Sequence, residues 1–340
     1  MYTEFYGFSE RPFDVNPDPK FLHLTGCHRE TLASMLYGIR ERRGFLAVTG
    51  EVGTGKTTLV NALLNSLDDK VKTAYIFRKC ITVHELLRAI LYEFGVSAKG
   101  RDRFALWELL NEFLLETSMK HELAALIIDE AQNLSTGMLE EIRTLSNLET
   151  QKTKLLQIIL VGQPELDAKL DSEQLRQLRQ RISIRRKILP LSNDEVEAYI
   201  SHRLKLVGGI VYALFTRDAI SLISRHSKGI PRVINMMCDN AFLIGYALGR
   251  KKVDGAIIRE VVKDMEGELS PSEETRGAVG SSGVQVLVRE GGGFFGAFRL
   301  LLGALLQNPW GRLRRDVFDP ASGVAGSRTP RTHQQGQEGE

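Results

Sequence analysis

The chain has 340 residues, a net charge of +3 and 43% hydrophobic content, which suits two soluble domains and excludes wholesale disorder. So small a charge gives no argument for a polyanionic partner by itself. Three scattered cysteines, Cys27, Cys80 and Cys238, argue against a disulfide framework or a cysteine metal site and fit a reducing, cytoplasmic setting.

From the start of the chain, MYTEFYGFSERPF carries an early acid and no apolar h-region, unlike a secretory signal. Residues 1–27 are rich in proline and aromatics and read as an ordered extended arm. HRETLASMLYGIRERRG (28–44) is an amphipathic helix closed by Gly44, FLAVTG (45–50) an apolar strand, and TTLVNALLNSL a second helix. Further strands are expected at KTAYIF (72–77), AALIID (124–129), LLQIILVG (155–162) and IRRKILPL (184–191). Helical patterns separate them: VHELLRAILYEF, FALWELLNEFLLETSM and MLEEIRTLSNLE. This alternation predicts an α/β fold with a parallel sheet covered on both faces, and nearly all-apolar strands agree with it.

After Leu191 the pattern is wholly helical, through NDEVEAYISHRLKLVG, TRDAISLISRHSKG, PRVINMMCDNAFLIGYALGR and VDGAIIREVVKDMEGE. Composition breaks near residue 270: from Pro271 onward the chain holds 13 of its 31 glycines and no lysine, so a poorly ordered end is expected. The predicted organisation is an arm at 1–27, an α/β core at 28–191, a helical domain at 192–268 and a Gly-rich tail at 269–340. Within the tail, FFGAFRLLLGALL (294–306) falls short of the roughly 20 apolar residues a membrane span needs. The wider segment 294–313, edged by Trp310 and Arg312, reads either as an interfacial amphipathic piece or as part of a degenerate tail.

Between the first strand and its helix lies GEVGTGKTT, in which Gly50, Gly55, Lys56 and Thr57 satisfy G-x-x-x-x-G-K-[ST]. Inward-facing backbone N–H groups of such a loop cradle phosphate oxygens, and glycines permit the close approach. The helix dipole adds to the attraction. Gly50, Glu51, Val52, Gly53, Thr54, Gly55, Lys56, Thr57 and Thr58 are therefore the expected nucleotide-binding residues, with Lys56 charging the terminal phosphates and Thr57 ligating Mg²⁺. LIIDEAQNL supplies the acidic partner: Asp129 to hold Mg²⁺ through water, and Glu130 to polarise an attacking water. The pairing indicates a triphosphatase.

Three further features lie outside this pair. Gln163 ends the strand before Pro164 and either registers the γ-phosphate or merely opens a turn. QLRQLRQRISIRRK (174–187) carries six basic residues and no acid. It is a solvated face, a DNA-binding patch, or the source of an arginine finger at Arg179 or Arg181. In SKGIPRVINMM, Gly229 and Pro231 place Arg232 in the first turn of a helix, where the dipole disfavours a cation and an anionic ligand would explain it. Asn147 reads as a surface side chain or cap rather than a sensor.

Taken together, these residues resemble those of the AAA+ ATPases, and more narrowly the ExeA-like, general secretion pathway protein A group. The resemblance rests on YGFSERPFDVNPDPKFL, GFLAVTGEVGTGKTTL, LIIDEAQNLS, SNLET and LVGQPEL and covers about residues 1–265. It implies a P-loop NTPase fold with a five-stranded parallel sheet flanked by helices and a small all-helical lid, with ATP between them and between subunits. It also implies Gln163 as first sensor, Arg181 as finger, Arg232 as second sensor, and self-association into a ring. Secretion or envelope-export proteins are then the expected partners, with DNA as the second choice because related ATPases serve transposition and replication initiation. The expected location is cytoplasmic or peripheral at the inner membrane. Residues 271–340 depart from the group, showing neither its membrane span nor its peptidoglycan-binding domain.

Overall fold

In the computed structural model, the described residues are 1–14, 19–77, 82–150 and 153–267. The Gly-rich tail, its 294–313 segment and Cys80 lie outside them. Five strands carry the sheet: β1 (Phe45–Gly50), β2 (Val71–Ile76), β3 (Leu123–Ile128), β4 (Leu156–Gly162) and β5 (Ile182–Ile188). All are parallel, in the order β2-β3-β4-β1-β5.

Because successive side chains of a strand point to opposite faces, each central strand feeds two cores. Phe45 and Ala47, Leu126 and Ile128, and Ile158 and Leu160 enter one layer. Leu46 and Val48, Ala125 and Ile127, and Ile159 and Val161 enter the other. The first layer is closed by α4 (Val83–Glu93), α5 (Arg103–Met119), α6 (Thr136–Leu145) and α7 (Pro164–Leu170), the second by α2 (Gly26–Arg40) and α3 (Lys56–Ser66). Burying each aliphatic side chain of this kind contributes about 1.5–3 kcal/mol. Several helices start at a hydroxyl or carboxylate cap: Thr25 for α2, Thr82 for α4, Asp102 for α5 and Ser135 for α6. At α4 the pair Thr82 and Glu85 completes a reciprocal capping box.

β5 departs from the expected apolar strand. It begins at Ile182 rather than Ile184, and it pairs with β1 alone. Ser183, Arg185, Arg186 and Lys187 are exposed while Ile188 is buried. An edge strand is covered less than a central one and so tolerates charge on both faces, and edge cations discourage pairing with another chain. α8 (Arg176–Arg181) leads into it, so the basic tract is divided between a short helix and a sheet edge.

Beyond the sheet come α9 (Asn193–Leu206), α10 (Val211–Leu214), α11 (Arg217–Ser227), α12 (Pro231–Ala247) and α13 (Gly255–Gly267). The N-terminal arm packs here, and it is not extended throughout. Tyr2–Tyr6 form a helix, α1, and Pro19–Phe21 a 3-10 turn. Tyr2 and Tyr6 lie one helical turn apart and therefore share a face, which they turn toward α12. Phe242 of α12 is fully buried, and the rings of Tyr2, Tyr6, Phe8, Phe13 and Phe215 stand 4.7–6.0 Å from its own. The Tyr2 hydroxyl donates to Asp239 and that of Tyr6 to the Arg250 carbonyl at 2.9 Å. Deep between arm and helices, Arg203 donates to the Pro12 carbonyl at 2.9 Å with its guanidinium over the rings of Phe21 and Tyr199.

Emptying the centre of this ring cluster by Phe242→Ala is expected to cost about 3–5 kcal/mol of unfolding free energy. Urea denaturation measures it, and a loss below about 1 kcal/mol would contradict the packing described.

Candidate active site

β1 delivers the chain to Gly50 and α3 starts again at Lys56, so the intervening loop turns at the carboxyl end of the sheet. Gly53 and Gly55 both adopt positive φ, 83° and 95°. At Gly53 space is also short: a Cβ would stand 2.8 Å from the Arg232 Cβ and 3.0 Å from the Ile230 Cγ2. The segment before α12 therefore presses against the loop, and the Arg232 amide donates to the Gly53 carbonyl at 3.3 Å.

Other loop carbonyls are held too. Lys56 Nζ donates to the carbonyls of Gly50 (2.8 Å) and Glu51 (3.0 Å), and the Thr54 hydroxyl donates to that of Glu51 (2.8 Å). His28 of α2 reaches the Thr54 carbonyl through Nε2 at 2.9 Å, while its Nδ1 meets the Thr25 hydroxyl at 2.8 Å. A carbonyl can only accept, so the ring proton sits on Nε2. Burial lowers the pKa of the Lys56 ammonium, against the opposing pull of Glu130, Asp129 and Glu51.

β3 ends at Ile128 and presents Asp129, 7% exposed, beside Thr57. Asp129 Oδ2 accepts from the Thr57 hydroxyl at 3.0 Å and from the Tyr75 hydroxyl at 3.1 Å, and its Oδ1 accepts from the Glu130 amide at 2.8 Å. The Tyr75 phenol is pushed above its ordinary pKa by burial and by the Asp129 charge. Glu130 takes up φ 52°, unusual for a residue with a side chain. Its Oε2 accepts from the side-chain amides of Gln163 (3.1 Å) and Gln132.

One cleft collects most of the expected residues: Val52, Gly53, Gly55, Lys56, Thr57, Thr58, Glu130, Gln163 and Arg232 line it, together with Asn235 and Tyr199 of the helical part. Gly50, Glu51 and Asp129 stand directly behind through the hydrogen bonds above. Thr54 faces an adjoining apolar pocket with Phe21, His23, His28 and Leu191. The side chains of Thr57 and Asp129 are hard oxygen donors of the kind Mg²⁺ accepts. Among the described residues no group of three or more His, Cys, Asp and Glu could hold a metal ion, and Mg²⁺ carried by a nucleotide needs only one or two protein oxygens.

Arg179 and Arg181 are not among the cleft residues. Arg179 donates to the Asp171 carbonyl at 3.1 Å and Arg181 to the Ser146 hydroxyl at 2.7 Å. Arg185 is engaged by Asp167 and Asp171, and Arg186 donates to the Ser34 hydroxyl at 2.9 Å. Asn147 is exposed just past the end of α6. Sequence reasoning missed Tyr75, Gln132, Thr25 and His28. Gln132 alone had a usable signal, an amide two residues beyond the acid pair.

Residues 39–170 match the family described as "AAA domain". The chain is 44% identical over 254 residues, 74% of its length, to General secretion pathway protein A of Aeromonas hydrophila. It spans about half of that relative, 46%. Among solved structures it is similar to the Aeropyrum pernix ORC2 protein in its ADPNP-ADP complexes, with TM-score 0.58 and 19% identity over 76% of this chain and 72% of that one. The Drosophila ORC bound to DNA gives TM-score 0.58 and 18% identity, covering 78% of this chain and 66% of that one. At such identities the structures bear on fold alone. Strand order, phosphate loop and family match agree: the chain carries an AAA domain in a P-loop AAA+ fold, in a sequence similar to General secretion pathway protein A.

Proposed function

We propose that the chain is an Mg²⁺-dependent ATPase whose helical part acts as a nucleotide-responsive lid, serving assembly of a secretion or envelope-export system. The observation that supports this most is the convergence of Lys56, the Thr57–Asp129 pair and Glu130 on one cleft between the sheet and α12. In this reading residues 28–191 are the ATPase core, 192–268 the lid, and 1–27 an arm fastened to the lid. Residues 50–58 hold the triphosphate, and Lys56 exchanges its loop carbonyls for phosphate oxygens. Glu130 orients the attacking water and takes up its proton. Gln163 touches the terminal phosphate, and Arg232, whose own backbone amide meets the Gly53 carbonyl, links that phosphate to α12. When bound, Mg²⁺ supplies charge neutralisation across the phosphates, and Thr57 and Asp129 are the residues that would hold it.

Arg181, with Arg179 as the alternative, is proposed to act on a neighbouring copy's nucleotide in a ring, in keeping with its place outside its own cleft. The partner class rests on the similarity to General secretion pathway protein A. The location follows from it: cytoplasmic or at the inner membrane face. Among the described residues no helix is long and apolar enough to cross a membrane. A DNA-associated role is the second reading, favoured by the basic tract at 174–187. The internal partners of Arg185 and Arg186 weigh against it.

Purified protein is expected to hydrolyse ATP with a rate per chain that rises with protein concentration. Arg181→Ala should then lower turnover by roughly 10³- to 10⁵-fold if it is the finger, while Glu130→Gln should keep ATP binding and lose turnover. No ATP uptake by calorimetry with Mg²⁺ present would end this reading.

Lys56→Met should abolish that uptake and also change the stability profile with pH. The folded-state pKa of Lys56 lies below its unfolded value of 10.5, so between the two the unfolded chain binds more protons and stability rises with pH. Wild type should therefore gain on the variant as pH climbs toward 10.5, read by denaturant unfolding; a flat difference would contradict the burial of this charge.

A further inference from the structure

We propose that Gln132 is a positioning residue for hydrolysis, holding the Glu130 carboxylate when Gln163 turns to the nucleotide; this rests on the ATPase reading above. The geometry fixes the orientation of its amide. Gln132 Oε1 accepts from the backbone N–H of Gln163 at 3.0 Å. A backbone N–H can only donate, so the other end of the amide, Nε2, faces Glu130 and donates to its Oε2.

Gln132 is itself held from two sides. Its carbonyl, with that of Leu134, accepts from Lys169 Nζ of α7. Its side-chain oxygen lies where a Cβ on Gly162 would come within 2.8 Å, so the last residue of β4 leaves the room it needs. The side chain thus spans from the end of β4 to the acid at the end of β3, the two strand ends on which the proposed chemistry depends.

Glu130 Oε2 has two amide donors here, Gln132 and Gln163. The Gln163 side-chain amide is the group proposed to meet the terminal phosphate, and in turning to it the side chain leaves Glu130. Gln132 faces no such competition: its one acceptor is engaged by the Gln163 backbone, which stays in place when the Gln163 side chain swings. Loss of the Gln163 donor therefore frees one carboxylate lone pair for water while Gln132 keeps the group aimed. Gln132 does not touch the reacting atoms in this scheme. Its effect on turnover passes through the orientation of Glu130, and its removal spares the loop that grips the phosphates.

The test is Gln132→Met, close in shape but without donor or acceptor, in the full chain. Steady-state ATP hydrolysis, binding of a fluorescent ATP analogue and thermal unfolding are measured side by side. The expected result is a fall in kcat of roughly 10- to 100-fold, the scale on which misplaced groups act. Nucleotide Kd should stay within about twofold, because Gln132 makes no contact with the phosphate loop, and the variant should remain folded, with Tm lowered only by the loss of the hydrogen bonds to Glu130 and Gln163. Gln132→Glu, which keeps an acceptor for the Gln163 amide but puts a second carboxylate against Glu130, should show the same loss. The inference is overturned if either folded variant keeps wild-type kcat, or if Kd weakens in step with kcat. A wild-type protein that binds no ATP or turns none over is a different outcome, sinking the ATPase reading and this inference with it.

Discussion

A phosphate-binding loop must direct N–H groups toward the anion, and its carbonyls then need donors elsewhere. This constraint organises much of the molecule. The Gly50 and Glu51 carbonyls are held by Lys56, the Gly53 carbonyl by the amide of Arg232 and the Thr54 carbonyl by His28. Three separate elements, α2, α3 and α12, thus converge on one short turn. Lys56 plays a double part: the carbonyls that hold it compensate some of its desolvation and leave its ammonium next to the cleft.

The acid side is built by the same kind of accounting. Asp129 is buried, yet both its oxygens have donors, from Thr57 and Tyr75 on one and from the Glu130 amide on the other. A buried carboxylate without such partners would be costly. Glu130, one residue further, stands at the cleft with its backbone in the left-handed region. Such a conformation costs of order 1 kcal/mol or more, and it sends two adjacent acids in different directions, one inward to Thr57 of α3 and one toward the cleft.

The phosphate loop and the acid strand were legible because their chemistry is local: the glycines, lysine and hydroxyl are contiguous, and an apolar run ends on Asp129 and Glu130. Central strands were legible for a related reason, since two-sided burial leaves an unbroken apolar word such as FLAVTG. What escaped depends on partners remote in sequence. α1 is helical because Tyr2 and Tyr6 find Phe242, a residue no local pattern connects to them. β5 carries charge on both faces because it is an edge strand paired with β1 alone, and strand order is a property of the assembled sheet. The roles of His28 and Gln132 needed the carbonyl of Thr54 and the amide of Gln163 in place before either side chain had an evident partner. The extended reading of the arm missed its one short helix for the same reason: proline content spoke louder than a helical spacing whose complementary surface was out of sight.

The union of α1 with α12 bears on the order in which the molecule comes into being. Tyr2 and Asp239 are 237 residues apart, and the hydrogen bond between them closes a loop around the whole sheet. Closing so long a loop carries an entropic cost that grows as the logarithm of its length, and contacts of this separation form late. During synthesis the first residues to emerge wait, aromatic rings unburied, until the twelfth helix has left the ribosome. The sheet can condense before that moment, but the fastening that joins the chain's beginning to α12 is the last stitch.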